Sequence, residues 1–192
     1  MDAIAMRKDA RARRGSWLAL IMLAVLALAL GGCASQQLSH YAGKTPMFDP
    51  AVFFKGRTEA WGMFQKRGGE VARRFHVVVT GSVEGNTLTL DERFRYDDGQ
   101  TQTRVWTLVR QPDNSWRGSA GDVIGEAIGH TAGNALHWNY TLLLPVDDKQ
   151  YEVQMDDWMY QMDERTLINR TSMRKFGVEV GQVTLFFRKE GV

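Results

Sequence analysis

The chain has 192 residues, with 24 Lys and Arg, 22 Asp and Glu, four His and one Cys, and a formal net charge of +2. Residues 1–32 hold five of the basic and two of the acidic side chains, so the remainder carries 19 basic and 20 acidic side chains. This balance excludes the basic surface that nucleic-acid binding requires. Roughly 160 residues remain, enough for one domain with a sizeable core, and because one cysteine cannot pair within the chain, packing alone must hold that core.

Residues 1–32 have the layout of a secretory signal peptide, which would end at the only cysteine. A basic segment is followed by the uncharged apolar run 17–30, which is too short for an ordinary membrane span. The residues Leu-Gly-Gly-Cys at 30–33 resemble a bacterial lipobox. That resemblance implies that Cys33 is acylated and becomes the N-terminus of a mature lipoprotein, whose partner is a membrane. The alternative is an uncleaved anchor helix with an incidental cysteine.

The next residues predict a lipid anchor, a tether and one domain. Residues 33–47 combine the acylated cysteine with small and polar residues that are typical of a flexible tether. Asp49 is placed to cap a short helical turn, with Pro50 at its first position. Beyond this turn the pattern indicates only strands, so residues 48–192 are predicted to form a single β domain.

Alternation of apolar and polar residues predicts these strands. It is clearest along 88–96, 136–144 and 151–159, and Asp-Gly at 98–99 and Gly-Asn at 133–134 favour tight hairpins. No helical segments intervene, which argues against parallel βαβ units. A long antiparallel meander exposes two edges unless it closes. The sequence therefore predicts an all-β, up-and-down barrel of about 8–10 strands, of the calycin type that lipocalins adopt, with a two-sheet sandwich as the alternative.

Charged residues interrupt strand faces that are otherwise apolar, at Glu92, Asp157, Arg104 and Arg170. A charge buried alone is costly, so these groups must pair with one another or with a ligand. In one interpretation the two arginines neutralise the two acids inside the wall or at its rim. In the other, at least one arginine points into a cavity and receives an anionic headgroup. A slip of one residue in register would send each side chain to the opposite face.

Aromatic residues on the same strands are candidates for the lining of a pocket. Tryptophan usually belongs to the core, with a partner for its indole N–H, and the alternative is a pocket wall. The predicted ligand-binding residues are therefore the four charged residues above together with Trp106, Trp138 and Tyr140.

No catalytic residue, metal ligand or cofactor is predicted. Asp156 and Asp157 are neighbours on a strand and point to opposite faces, so they cannot easily serve one site. His130 and His137 flank a turn and can meet across it, but two histidines without a third ligand make a weak zinc site. Nucleophile-elbow and phosphate-loop motifs are absent. The chain is therefore predicted not to be an enzyme.

Five short segments carry a family resemblance: AWGMFQ at 60–65, TLTLDE at 87–92, GNAL at 133–136, DDWMY at 156–160 and NR at 169–170. Through them, the chain from about Tyr41 to Arg188 resembles a Gram-negative lipoprotein family known as domain of unknown function 3833. The resemblance implies an envelope lipoprotein, and genes resembling fatty-acyl-modifying enzymes near its members favour lipid handling. Ala34 stands where an inner-membrane lipoprotein would have Asp, which implies the outer membrane, facing the periplasm.

These observations lead to two expectations about function. In the first, the barrel binds an apolar or amphipathic small molecule such as an acyl lipid. In the second, a structural or assembly lipoprotein has a filled barrel and contacts another envelope protein through its outer surface. An interior cavity would favour the first expectation, since a barrel of this size encloses either packed side chains or one small ligand.

Overall fold

A computed structural model describes residues 36–146 and 148–191. The predicted signal peptide 1–32 and Cys33 lie outside the described residues. Contacts divide the chain into residues 1–37 and 38–192, and the second unit contains the described strands and both buried hydrophobic clusters. The second unit therefore has a hydrophobic core of its own, which is the property of an independent domain. No helix among the described residues has the length and apolarity needed to cross a membrane.

The described part of the chain is mostly strand. A 3₁₀ helix spans Leu38–Tyr41 and the helix α1 spans Pro50–Phe53. The strands are β1 Gly56–Lys66, β2 Val71–Glu84, β3 Thr87–Tyr96, β4 Thr101–Arg110, β5 Trp116–Ser119, β6 Val123–Ala132, β7 Ala135–Val146, β8 Lys149–Gln161, β9 Thr166–Lys175 and β10 Val178–Lys189.

The ten strands form one closed barrel. Each strand pairs antiparallel with the next in the chain, and β1 also pairs with β10, from Thr58 opposite Lys189 to Lys66 opposite Gly181. This last ladder removes the two edges that an open meander would expose. The predicted all-β, up-and-down barrel of the calycin type is therefore confirmed, and the alternative of a two-sheet sandwich is wrong.

Helix α1 closes one end of the barrel. Asp49 caps it by accepting a hydrogen bond from the Ala51 N–H at 2.9 Å, and Pro50 occupies the first helical position, as predicted. The Asp49 carboxylate also pairs with Arg110 of β4 at 2.5 Å, which ties the helix to the wall. Four buried rings pack edge-to-face at this end of the barrel, those of Phe48, Phe53, Phe54 and Phe187. This aromatic cluster forms the floor of the interior.

The segment before α1 packs against the barrel from residue 38 onward. The half-buried Tyr41 ring lies 6.1 Å from the ring of Trp158 and 5.4 Å from that of Tyr160, both on β8. The flexible tether predicted for residues 33–47 therefore extends too far, because Leu38–Tyr41 already lies against the barrel wall. The physical reason is that an aromatic ring gains more by covering apolar wall than by staying in water.

Candidate functional site

A cavity of about 580 Å³ occupies the barrel interior. Pro50 and Phe54 form its floor, and its lining reaches Gln100 and Pro145 at the opposite end of the barrel. The volume lies within the range of about 300–1,000 Å³ that is typical of small-molecule sites. The barrel is therefore hollow, and most of its lining is apolar or aromatic, including Phe75, Phe94, Trp106, Trp138, Tyr140, Leu142 and Met155.

One aromatic wall of the cavity depends on two glycines behind it. A Cβ atom on Gly118 of β5 would lie 2.5 Å from the indole of Trp138, and one on Gly129 of β6 would lie 2.0 Å from it. The ring of Trp106 packs edge-on against both Trp138, at 5.9 Å, and Tyr140, at 5.3 Å. The glycines thus give three large rings room to line one cavity.

A cluster of charged groups interrupts this apolar lining at Arg104 of β4. Nε and Nη2 of Arg104 donate to the carboxylate of Asp122 at 3.0 Å and 2.5 Å, and Nη1 lies 3.9 Å from Glu92 Oε2. Glu92 and Arg104 face each other across the β3–β4 ladder, and their side chains are 15% and 17% exposed. Arg104 therefore meets two carboxyl groups inside the barrel, and Asp122 takes most of its donor fork.

Glu92 is the less well partnered of these two carboxyl groups. Burial raises the pKa of Glu92 to about 7, and it outweighs the nearby Arg104, which lowers it. The carboxylates of Asp122 and Asp157 raise this pKa further. Among the described residues no hydrogen bond reaches the Glu92 carboxyl, whose contact is the ion pair with Arg104. A titratable group of this kind in a cavity marks a candidate binding site.

Asp157 of β8 is a second buried acid, 5% exposed. It accepts a hydrogen bond from Asn169 Nδ2, and Thr171 lies opposite it in the β8–β9 ladder. Burial raises the pKa of Asp157 to about 7, although the hydrogen bonds from Asn169 and Thr171 lower it. Burial also raises the pKa of Tyr140 above its ordinary value. Neutral groups, and not an arginine, therefore hold Asp157 in place.

Six of the seven predicted ligand-binding residues line the cavity: Glu92, Arg104, Trp106, Trp138, Tyr140 and Asp157. The pairing of Arg104 with Glu92 agrees with the first interpretation of the buried charges. The expected neutralisation of Asp157 by an arginine is wrong, because Asn169 and Thr171 are its partners. Whether any of these residues contacts a ligand stays a prediction.

Arg170, the seventh residue, lies on the outside of the barrel. Its side chain is exposed, and its Nη2 donates to Gln182 Oε1 at 3.1 Å. The expectation that Arg170 serves the interior is therefore wrong. The reason is the register of β9, where the buried side chains are those of odd-numbered residues, Leu167, Asn169, Thr171 and Met173.

Three polar residues that contact the buried charges, Asp122, Asn169 and Thr171, were not predicted from the sequence. Asp122 lies in the turn between β5 and β6, where side-chain alternation carries no information. Asn169 and Thr171 lie on the face of β9 opposite Arg170, so the expectation of an inward Arg170 excludes them. A pairing argument could have found them, since the buried Asp157 needs hydrogen-bond donors on the facing strand.

Asp156 points to the outer surface, away from Asp157, as strand geometry predicts. Its Oδ1 lies 2.7 Å from His137 Nε2 and accepts from Trp158 Nε1 at 3.2 Å. His130 and His137 are register partners of β6 and β7. In the described part of the chain, no group of three or more His, Cys, Asp or Glu side chains is arranged to hold a metal ion.

Replacing Asp157 with asparagine is expected to raise the free energy of unfolding at pH 8 by roughly 1–3 kcal/mol and to change it little at pH 4. The folded-state pKa of about 7 lies above the ordinary value of 3.8, so the folded protein binds more protons between these values. The contribution of Asp157 to the free energy of unfolding is therefore fully present below about pH 4, and it is lost as the pH rises towards about 7. Asparagine cannot ionise, yet it keeps an oxygen that accepts from Asn169.

Urea denaturation across this pH range measures the effect. The pH dependence of Asp157→Asn should be smaller than that of the wild type, with the contribution of Glu92 remaining. Asp91→Asn, on the outer face of β3 with its side chain 44% exposed, is the matched control. The same pH dependence in Asp157→Asn and wild type would contradict the prediction.

A family model described as "Protein of unknown function (DUF3833)" matches residues 27–189, a range that includes all ten strands. No curated protein matches the chain. The matched range is longer at its amino end than the part of the chain that carries the sequence resemblance.

Proposed function

Because this chain belongs to DUF3833, a family of proteins of unknown function, we propose from its cavity that the barrel binds an amphipathic small molecule with an apolar chain, such as an acyl lipid. The hollow interior of about 580 Å³ carries this proposal. Concave sites lined mainly by apolar side chains, with a few convergent polar groups, are the usual form of small-molecule sites. Removing apolar ligand surface from water there is favourable by about 25 cal/mol per Å², against which stands the cost of immobilising the ligand.

The position of the polar cluster favours an amphipathic ligand over a purely apolar one. Glu92, Arg104 and Asp157 lie near the middle of β3, β4 and β8, with apolar residues between them and the floor. A ligand without polar atoms would cover the Glu92 carboxyl, which accepts no hydrogen bond from the described residues, without giving it a donor. A ligand with an apolar chain and one polar headgroup matches both kinds of lining.

The proposal also places the barrel on a membrane. Acylation of Cys33 after removal of residues 1–32 would hold the domain in the bacterial envelope, on the periplasmic side of the outer membrane. Support comes from the basic segment, the short apolar run and the lone cysteine at its end. The barrel would then act as an anchored binding protein without catalytic activity of its own.

Mass spectrometry tests the binding proposal directly. Residues 34–192 are produced without the leader, purified without detergent and denatured, and the released small molecules are identified. We expect about one amphipathic molecule per barrel. A domain that is consistently empty would contradict the proposal and favour the alternative, an assembly lipoprotein acting through its outer surface.

Two valine substitutions supply the matched comparison. Val183 lines the cavity, so Val183→Trp should fill part of it and remove most of the bound molecule. Val105 is 50% exposed on the outer face, so Val105→Trp should retain the molecule. Thermal melting of both variants shows whether the barrel remains folded. Equal retention by the two variants would place the bound molecule elsewhere than in the cavity.

A further inference from the structure

We propose that the headgroup this cavity selects is an ammonium group, and that its ligand is an amphiphilic amine with an apolar chain. The inference rests on the proposed function and adds to it the charge of the ligand. It reverses the sequence-based expectation that Arg104 receives an anionic headgroup such as a carboxylate or phosphate.

The first step of the argument is that Arg104 already has its anion. Asp122 accepts from both Nε and Nη2, so the side of the guanidinium that best binds a carboxylate is filled. The remaining nitrogen, Nη1, faces Glu92 at 3.9 Å. An anionic headgroup at Nη1 would therefore lie beside the Glu92 carboxyl and repel its ionised form in a poorly solvated space.

The second step is the balance of charge in the cluster. Three carboxyl groups, those of Glu92, Asp122 and Asp157, line the cavity, and Arg104 is the arginine that pairs with two of them. After Asp122 is paired, two acids remain, and Asp157 has neutral partners. An incoming carboxylate would add negative charge to a poorly solvated space, whereas an ammonium would neutralise charge there.

The other arginine of the lining does not change this balance. Arg73 lies near the open end, where its Nη2 is 2.8 Å from Asp98 Oδ2 and its guanidinium is 3.5 Å from the centre of the Tyr96 ring. Its charge is therefore compensated at the rim. Deeper in the cavity, the polar side chains around Arg104 are the three acids, the phenol of Tyr140, and Asn169 and Thr171, which bond to Asp157.

The elements around Glu92 contribute few other titratable groups. Arg104 faces it from β4 and Asp122 from the β5–β6 turn, while Tyr140 of β7 and Asp157 of β8 also line the cavity. No histidine lines this cavity among the described residues. Burial raises the pKa values of both Glu92 and Asp157 to about 7, so a nearby cation can draw either acid into its ionised form near neutral pH.

The ligand is then held by packing and by an ion pair, with no covalent step. The apolar chain packs against the aromatic wall of Trp106 and Trp138, and the ammonium donates to the Glu92 carboxylate. A Glu92 carboxyl that is protonated in the empty barrel gives its proton to solvent as the ion pair forms. Binding is therefore expected to weaken as the pH falls below about 7.

Three amphiphiles with the same twelve-carbon chain test the proposal on residues 34–192: dodecylamine, dodecan-1-ol and dodecanoate. Isothermal titration calorimetry is carried out at pH 8, below the micelle-forming concentrations. We expect the amine to bind at least about tenfold more tightly than dodecanoate, with the alcohol between them. If dodecanoate binds as tightly as the amine or more tightly, the inference is wrong and the proposed function stands. If none of the three binds, both are wrong.

The pH dependence gives a second readout. If only the ionised form of Glu92 accepts the amine, the affinity should fall about tenfold between pH 8 and pH 6, since the ionised fraction falls by that factor around a pKa of about 7. The amine stays charged throughout, so the change would report the protein. Amine binding that is the same at both pH values would overturn the role of these acids.

The variant Glu92→Gln removes one ionisable group and keeps the size of the side chain. It should weaken the binding of the amine by at least about fivefold, and it should leave the affinity for dodecan-1-ol within about twofold of the wild-type value. Glu126→Gln, an exposed glutamate on the outer face of β6, is the matched control and should change neither. Equal losses for the amine and the alcohol in Glu92→Gln would show a structural effect and contradict the assignment of the ammonium to Glu92.

Discussion

Substituting alanine for Gly81 should lower the free energy of unfolding by about 3 kcal/mol or more. A Cβ atom at this position of β2 would lie 1.9 Å from the carbonyl oxygen of Phe54. That carbonyl cannot move aside freely, because the Phe54 N–H donates to the Pro50 carbonyl at 2.9 Å and its ring packs against Phe187. The floor of the cavity would therefore have to shift as a unit.

Gly68 provides the matched control for this effect. It lies in the β1–β2 turn, its φ is not positive, and a Cβ atom there would meet nothing within 4 Å. Gly68→Ala should change the stability by less than about 0.5 kcal/mol. Urea denaturation of both variants of residues 34–192 measures the difference. Similar midpoints for Gly81→Ala and Gly68→Ala would show that the floor does not require a glycine there.

The substitution Cys33→Ser should abolish the incorporation of labelled palmitate and leave the full-length precursor unprocessed. Serine has no thiolate to form a thioether, and the proposed anchor depends on several acyl chains at this one residue. Each buried methylene contributes about 0.8 kcal/mol, and one chain alone gives only marginal membrane binding. The effect on acylation is therefore expected to be complete rather than partial.

Growth with labelled palmitate, followed by electrophoresis of the whole chain, tests this expectation. Ser35→Ala, two residues further on, leaves the cysteine in place and should keep the label and the processed size. Continued labelling of Cys33→Ser would refute acylation at this thiol. A wild-type chain that is neither labelled nor shortened would support the alternative of an uncleaved anchor helix.

The general architecture could be predicted from the sequence because alternation is a local property. Segments such as 88–96 and 136–144 show which side chains share a face, and the turns between them are short. A meander without helices must then close to protect its edges, so the barrel follows from the strands. The cap at Asp49 was predictable for the same reason, since a cap and its helix are neighbours in the chain.

The face of β9 was not predictable by this route. Along Thr166–Lys175, the odd and the even positions each include an aliphatic residue, Leu167 or Ile168, that is followed directly by polar residues on the same face. Alternation alone cannot then decide which set is buried. The β8–β9 register decides it, because the buried acid Asp157 requires the hydrogen-bond donors Asn169 and Thr171 on the facing strand.

The sequence by itself therefore determined the strands, the closure of the barrel and the set of charges that had to be explained. Only the tertiary structure decided that the interior is hollow, that a turn brings Asp122 to Arg104, and that Arg170 points to solvent. The physical reason is the distance along the chain over which each effect acts. Alternation and capping act between neighbours in the chain, whereas the volume of the cavity and the partner of a buried charge depend on residues that only the closed barrel brings together.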